Sequence, residues 1–448
     1  MDFSVFKNRI ADTAKDAGVS DYELYYSTVD STTVGAFGGE INEFTSGLTG
    51  GVCFRCLLNG HMGLAYTQDL SEDSAVSLVR RAMDNASVIE SEETEYFSEG
   101  GAVYESFEPA QMKPASAEEL SDEVLQGLEE LKKADSAVTD GCTASAGTQA
   151  LEICLVNSRG VDLRCSCSLD YLFLEAVVSD GKEDNNEYKL KIAEPKDLDL
   201  STLAKEAAEE AAAMLGAGTA PTGSFPVVFS PHAFSSMLQV FSSSFSSENA
   251  AKGLSVLKGK EGEMIASGLV TIIDDPFSED NPMRINFDAE GSPAHRKAVV
   301  SEGRLETLLY NLKTARAAGR ETTGNAFRGD YDSPVVISPF TMYLKPGAFS
   351  EEELLQQAGD GIYINSVGGL HAGANQITGD FSIMSSGFLI RDGKKADPVK
   401  SFTVAGNFFD LLKNVTAVAD NLKVPMPMSI SAFGSPSVLV KQLSISGK

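Results

Sequence analysis

The 448-residue sequence predicts an α+β protein. An N-terminal layered α/β unit of two similar helix–strands–helix halves precedes a strand-rich, mixed-sheet, barrel-like C-terminal domain. Three observations predict this. Helical spacing gives way to strand patterning and then returns, twice over, in the first 216 residues. A linker rich in glycine, proline and threonine follows, spanning 216–224. Beyond it, strand-like runs separated by glycine dominate and helices are few, as in curved or closed sheets. The divisions are therefore 1–215, with halves 1–105 and 116–215, the linker 216–224, and 225–448.

The first half opens with a helix over 2–17, where Phe3, Phe6, Ile10 and Ala14 share one side and Gly18 stops the run. From Asp21 to Thr67 four strand-like runs are separated by glycine turns, as in a meander. Residues 71–90 return to helical spacing behind a serine cap, 91–99 read as an acidic, solvated loop, and 105–115 carry two prolines and read as a connector. The second half begins with a capping box, Ser116-Ala-Glu-Glu, and a helix to Ala134. Three or four strands then lead to a helix over 199–216.

After the linker, the run Pro226–Ser230 reads as a short buried strand feeding the stretch Ser230–Leu257. Ser230 can cap a helix and Pro231 suits its first turn. Phe234, Met237/Leu238, Phe241 and Phe245 recur at three-to-four spacing, and Gly253 is the expected stop. Serines 242–244, 246 and 247 fill the other positions. The remainder is strand-dominated, interrupted by helices at Ser350–Ala358 and Phe408–Asn414.

Composition excludes several classes. A formal net charge of −28 repels phosphate backbones, which argues against direct nucleic-acid binding. No apolar run approaches the roughly 20 residues of a membrane helix, and the amphipathic N-terminus does not resemble a secretion signal. All six cysteines fall before residue 170. Cys53-x-x-Cys56 has the spacing of half a zinc site or a redox pair, but no second half follows. Free thiols packed as small hydrophobes in a reducing compartment are the plainer expectation.

Three stretches gather polar residues. Asp274-Asp275-Pro276 and the run Phe287–Gly291, with Asp288 and Glu290, bring four carboxylates close in sequence. They suit acid–base work, a hard cation or, as the favoured reading, turn formation. The run Gly368–Ser382 carries His371, Asn375, Thr378, Asp380 and Ser382 on a glycine-rich frame, the build of a binding loop. His371 is the one candidate base there, with a structural role equally open. Thr322–Arg328 is a third loop able to line a groove, beside Lys313, Arg316 and Arg320 on a solvated helical face. Four scattered histidines offer no metal-binding spacing, and no nucleophile elbow, phosphate loop or dinucleotide fingerprint occurs.

The order and spacing of several segments resemble the TldD/PmbA family: G-E-x-I-A-S at 262–267, DDP at 274–276, FDAEG at 287–291, A-R-x-x-G at 315–319, TGN at 323–325, TGDFS at 378–382, SGFLI at 386–390 and TVAGN at 403–407. The resemblance covers roughly residues 220–440, and the N-terminal part is similar mainly in layout. This family, first described as modulators of DNA gyrase, includes zinc metallopeptidases. Its TldD type carries H-E-x-x-x-H on the first helix of the C-terminal domain, where two histidines hold zinc and the glutamate activates water. Anchored on Gly253–Val256, those positions fall on Leu238, Gln239 and Ser243. The late cysteine ligand has no counterpart after Cys167. The resemblance therefore implies a PmbA/TldE-like chain with no catalytic residue and no metal or cofactor of its own. Such a chain pairs with a zinc-bearing TldD-like subunit in the cytoplasm and helps process small or unfolded peptides. Residues 368–382 would then meet peptide or partner. Two alternatives stay open: a self-sufficient hydrolase using His371 with Asp380, and a homodimeric peptide-binding protein.

Overall fold

The computed structural model describes residues 2–90, 95–425 and 430–448. The N-terminal half begins with helix α1 (Phe3–Asp16), capped by Asp2 and burying Phe6, Ile10 and Ala14. Strands β1 (Tyr22–Phe37), β2 (Glu40–Leu58) and β3 (His61–Thr67) follow, then α2 (Glu72–Ser87). The expected four-strand meander is thus three strands, two of them very long. Only Gly38-Gly39 forms the β1–β2 turn, both with positive φ. Gly50 lies within β2, where only glycine fits because a Cβ would sit 2.2 Å from the Ser27 carbonyl oxygen on β1. Helix α3 (Ala117–Ala134) has the Ser116/Glu119 capping box. Strands β4 (Thr143–Asn157), β5 (Asp162–Ser179) and β6 (Asp184–Ile192) and helix α4 (Leu200–Ala212) complete this half.

The six strands make one antiparallel sheet, β3-β2-β1-β4-β5-β6. Its even-numbered β1 positions face the helices. Leu24 packs with Val52, Phe54 and the α1–α2 pair, while Val34 and Ala36 pack with the α3–α4 pair. Two helix pairs over one sheet are the structural form of the two halves read from the sequence. Residues 91–94 of the expected acidic loop lie outside the described residues. Its remainder is only partly solvated: Phe97 is fully buried, Lys313 binds Glu95 and Arg316 lies over Tyr96, while Glu99 is exposed. The Phe97 ring outweighs the charge of the run, and Lys313 and Arg316 meet its neighbours on a basic face that stays exposed from Arg316 to Arg320.

Strand β7 (Gly223–Phe229) enters the C-terminal half and leads into α5 (Pro231–Phe241). The single helix expected to Gly253 instead breaks into a 3-10 turn, Ser242–Phe245, and a short α6 (Ser247–Ala251). Serine hydroxyls cause the break. Ser246 caps the new helix, and Ser244 Oγ donates to the Gln376 carbonyl at 2.9 Å. Next come β8 (Ile272–Asp274), β9 (Lys297–Ser301), β10 (Arg304–Leu305), α7 (Leu312–Ala317), β11 (Ala326–Phe327), β12 (Val336–Ile337) and β13 (Thr341–Leu344). They are followed by α8 (Glu351–Ala358), β14 (Gly361–Gly368), α9 (Leu370–Gly373), β15 (Asp380–Arg391), β16 (Lys394–Asn407), α10 (Phe408–Lys413), β17 (Val415–Val418), β18 (Ala432–Gly434) and β19 (Val438–Ser446).

Strands β16-β15-β14-β7-β19 run in order, and β19 pairs back onto β16 at Val404↔Ile445, which closes a barrel of five strands. A second sheet runs β10-β9-β8-β13-β18. Helix α5 packs between the two, against β7, β13, β14 and β18. Phe229, Phe234, Met237, Leu238, Phe241, Phe245 and Phe408 form the centre of the core, with Phe241 and Phe408 stacked at 4.6 Å. The odd face of the N-terminal sheet, with Tyr25, Cys53, Ile153 and Leu155, packs on Ile285, Phe287, Ala289, Ala326 and Phe340. This is the seam between the halves. Among the described residues, no helix is long and apolar enough to cross a membrane.

Candidate functional site

Helix α5 and the 3-10 turn after it present the three motif positions to three environments. Leu238 is wholly inside the core, as its apolar spacing dictates. Gln239, one residue on, is exposed. Ser243 is half-buried on the 3-10 turn and donates to Gln376 Oε1 at 3.0 Å. None of the three side chains offers a ring nitrogen to zinc, and a neutral amide cannot take a proton from water. The residues at these positions therefore do not fit a zinc ion. Among the described residues, no cluster of three or more His, Cys, Asp and Glu side chains is arranged to hold a metal.

The loop after β14 arrives over this turn. Gly369, in the left-handed region, starts α9, on which His371 is exposed. Asn375 Oδ1 accepts the N–H groups of Ile377 and Thr378 at 3.0 and 3.2 Å, an Asx turn. Thr378 Oγ1 donates to Asp380 Oδ2 at 2.8 Å, and Asn407 Nδ2 donates to Asp380 Oδ1 and to the Thr378 carbonyl, each at 2.9 Å. The Asn407 amide, then the Thr378 hydroxyl, hold the Asp380 carboxyl below its ordinary range. Asn407 is in place because β15 and β16 pair Asp380 with Asn407, and because its Oδ1 caps α10 through the Phe409 and Asp410 N–H groups. Ser382 is exposed two pairs further along, opposite Ala405.

The structure thus brings Ser243, Gln376, Thr378, Asp380 and Asn407 onto one rim of the barrel. Leu238 is not part of it. Both Asp380 oxygens are engaged by Asn407 and Thr378 rather than by His371. Gln376 and Asn407 were not expected as rim residues. For Asn407 a signal exists, an asparagine directly before a helical run. For Gln376 there is none. What the rim offers is a neutral hydrogen-bonding surface around one ionised carboxylate.

The carboxylates at 274–290 lie elsewhere, in the seam, and act on the backbone. Asp288 Oδ1 accepts the N–H groups of Glu290 and Ser292, and its Oδ2 accepts that of Ala326. Glu290 Oε2 accepts the Leu312 N–H. Asp274 accepts Phe340 N–H at 2.8 Å, Asn325 Nδ2 at 2.8 Å and Lys297 Nζ at 3.0 Å. Burial raises Asp288 and Glu290 above the usual carboxylate range. The end of the 322–328 loop, Ala326–Arg328, lines a small cavity in the seam with Tyr25, Phe287 and Phe340. Asn325 serves Asp274, and Arg328 is buried over the Tyr25 ring. Cys53 and Cys56 face opposite sides of β2, in the seam and under α1–α2 respectively, so they cannot share a metal. All six thiols are free, and burial pushes Cys56 up to about 11 and Cys165 up to about 12.

Models of a metallopeptidase family match the chain in three consecutive parts. The PmbA/TldA metallopeptidase domain 1 matches residues 22–86, the central domain 108–215 and the C-terminal domain 222–447. A metalloprotease of Methanothermobacter thermautotrophicus is 29% identical over 396 residues, which is 86% of this chain and 85% of its own. A metalloprotease PmbA homolog of Haemophilus influenzae is 26% identical over 446 residues, covering 97% and 94%. A crystal structure from Thermotoga maritima, given as a candidate modulator of a DNA gyrase, superposes with a TM-score of 0.90 at 32% identity, over 99% of this chain and 100% of that one.

Proposed function

This chain belongs to the PmbA/TldD metallopeptidase family, and from that membership we propose that it is a PmbA/TldE-like subunit without zinc chemistry of its own. In this reading it works in the cytoplasm beside a TldD-like subunit that carries the zinc and the water-activating carboxylate. Together the two subunits process small or unfolded peptides. The observation that carries the reading is the state of α5. Where the TldD type places two histidines and a glutamate, this chain has a leucine inside the core, an exposed glutamine and a serine tied to Gln376.

The chain's own residues suit a supporting part. The loop 368–382 is fixed at its base by Asn407 and by the serines of the 3-10 turn. Exposed His371, Asn375, Thr378, Asp380 and Ser382 then offer hydrogen bonds to a peptide or to the partner without contributing a nucleophile.

Elemental analysis of the purified chain, with peptide cleavage followed alone and after mixing with a TldD-like protein, tests this. The expected result is no stoichiometric zinc and no cleavage by the chain alone, with cleavage in the mixture. Zinc bound at one equivalent by this chain's side chains, or cleavage without a partner, overturns it.

A further inference from the structure

We infer that the seam between the N- and C-terminal halves is closed by one proton, held on Glu290, and that losing this proton loosens the joint. Five ionisable side chains meet there, each no more than 5% exposed. The N-terminal sheet supplies Glu23 on β1 and Arg55 on β2, and the C-terminal half supplies Asp288, Glu290 and Arg328. Arg328 lines the same small cavity as Asp288. Three carboxyl groups therefore stand against two guanidinium groups. The neighbouring lysines are already matched, Lys297 by Asp274 and Lys313 by Glu95. An unmatched buried charge is expensive, so one of the three carboxyl groups keeps its proton.

The donors around each group assign the proton. Asp288 accepts three backbone N–H groups, from Glu290, Ser292 and Ala326, and such a set favours the ionised form. Glu23 Oε1 accepts both Nε and Nη2 of Arg55, a charge-assisted pair. Glu290 accepts only the Leu312 N–H, at 2.9 Å, among the described residues. The groups that face it are Asp288 on its own loop, Glu23 on β1, Arg55 on β2 and the first turn of α7. Cys53, Tyr25 and Tyr104 are the other titratable groups at the joint. Glu23 Oε2 has no donor, so a bare carboxylate oxygen already lies on the N-terminal side. Burial, and then the charge of Asp288, raise Glu290 above the usual carboxylate range against the pull of Arg55. The proton matters to the joint because segment 95–104 is pinned across it. Arg55 lies over the Phe97 ring at 5.5 Å, Ser98 meets Ser292 at 3.3 Å, and Tyr104 donates to the Gly291 carbonyl at 2.8 Å. Ionising Glu290 sets it against Asp288 and Glu23, one on each side of the seam, beside the two residues that hold this segment.

Glu290→Gln tests this, because the amide keeps the shape and the neutral charge and has no acidic proton to lose. The folded wild type holds a proton that the unfolded chain releases near the ordinary value of 4.5. The contribution of Glu290 is therefore complete below that value and declines as pH rises. Relative to the variant, the unfolding constant of the wild type is expected to grow by roughly tenfold per pH unit above it, until Glu290 ionises in the folded chain. At pH 6.5 the native wild type should show the infrared carbonyl stretch of one more protonated carboxyl group than the variant. From pH 6 to 9 the amide protection factors of β1 and of residues 95–104 should fall in the wild type and hold in Glu290→Gln. A stability difference that does not change with pH, equal infrared bands, or wild-type protection that stays constant over this range overturns the inference. So does a Glu290→Gln chain that fails to fold, since the neutral amide then cannot stand in for a protonated acid. The zinc-free reading of α5 is untouched by any of these outcomes.

Discussion

The seam between the halves and the rim of the barrel both gather polar side chains, yet they use them in opposite ways. In the seam Asp274, Asp288 and Glu290 are fully buried, and each spends its oxygens on backbone N–H groups or on Asn325 and Lys297. At the rim Thr378, Asp380 and Asn407 bond one another at the surface, and the neighbouring helix offers Gln239 and Ser243. The residues that look most like chemistry, paired acids beside a lysine, are construction. Beside the rim, Leu238, Gln239 and Ser243 supply no zinc-binding ring nitrogen and no carboxylate. Burial explains the difference. A buried carboxyl group is tolerated when donors serve it or when it keeps its proton, and oxygens engaged in that way are turned inward, away from a substrate or metal.

If this contrast is right, the largest effects on stability belong to the seam. Asp274→Ala leaves Lys297 Nζ, Asn325 Nδ2 and the Phe340 N–H without their acceptor in a fully buried place. A loss of about 3–5 kcal/mol in denaturant unfolding is expected. A loss below about 1 kcal/mol would mean that water replaces the carboxylate and that the seam is not dry.

A buried acid outside the seam, with one oxygen unserved, extends the point. Glu123 on α3 is 6% exposed, and its Oε1 has no partner among the described residues. Burial, and then the charge of Asp170, push it up to about 7. The folded state thus keeps a proton that the unfolded state releases near its ordinary value of 4.5. Stability from this group is lost as pH rises through that window, because folding then requires either a retained proton or a buried charge. Glu123→Gln is expected to be near neutral at pH 5. At pH 8 it should stabilise by roughly 1–2 kcal/mol, after allowance for solvent screening near the helix surface. Equal unfolding curves for wild type and variant across this range would show that Glu123 is served by a donor after all.

The two regions also differed in how readable they were. The helices that carry their own ends were legible: Ser116 and Glu119 sit three residues apart, and every bond of that capping box is local. The burial of Leu238 on α5 was legible too, because it follows from the apolar spacing of that helix. The break in that helix was not. The acceptor that draws Ser244 out of helical geometry is the Gln376 carbonyl, 132 residues away. The glycines of β1 and β2 misled for a similar reason. Gly50 looks like a turn in sequence, and only the β1 backbone pressed against it shows why it lies in a strand. The role of Asn407 depends on a register between β15 and β16 that no local pattern records. Phe97 was hidden inside an acidic run whose charge says surface while its ring says core.

The rim yields the smaller effects, and they separate construction from chemistry there. Asn407→Ala removes the cap of α10 and the donor that holds Asp380. About 1 kcal/mol is expected for the cap, with the Asp380 carboxyl titrating nearer its ordinary range when followed by NMR. His371→Ala should change almost nothing, within about 0.5 kcal/mol in stability, because His371 is exposed and Asp380 is already bound by others. Peptide cleavage by the mixture with a TldD-like protein should keep its maximal rate in this variant, a change in apparent substrate affinity being the most that a contact residue can cause. A collapse of the maximal rate with the fold intact would place a base at His371. The rim would then be a reaction centre, and the contrast with the seam would fail at its most exposed residue.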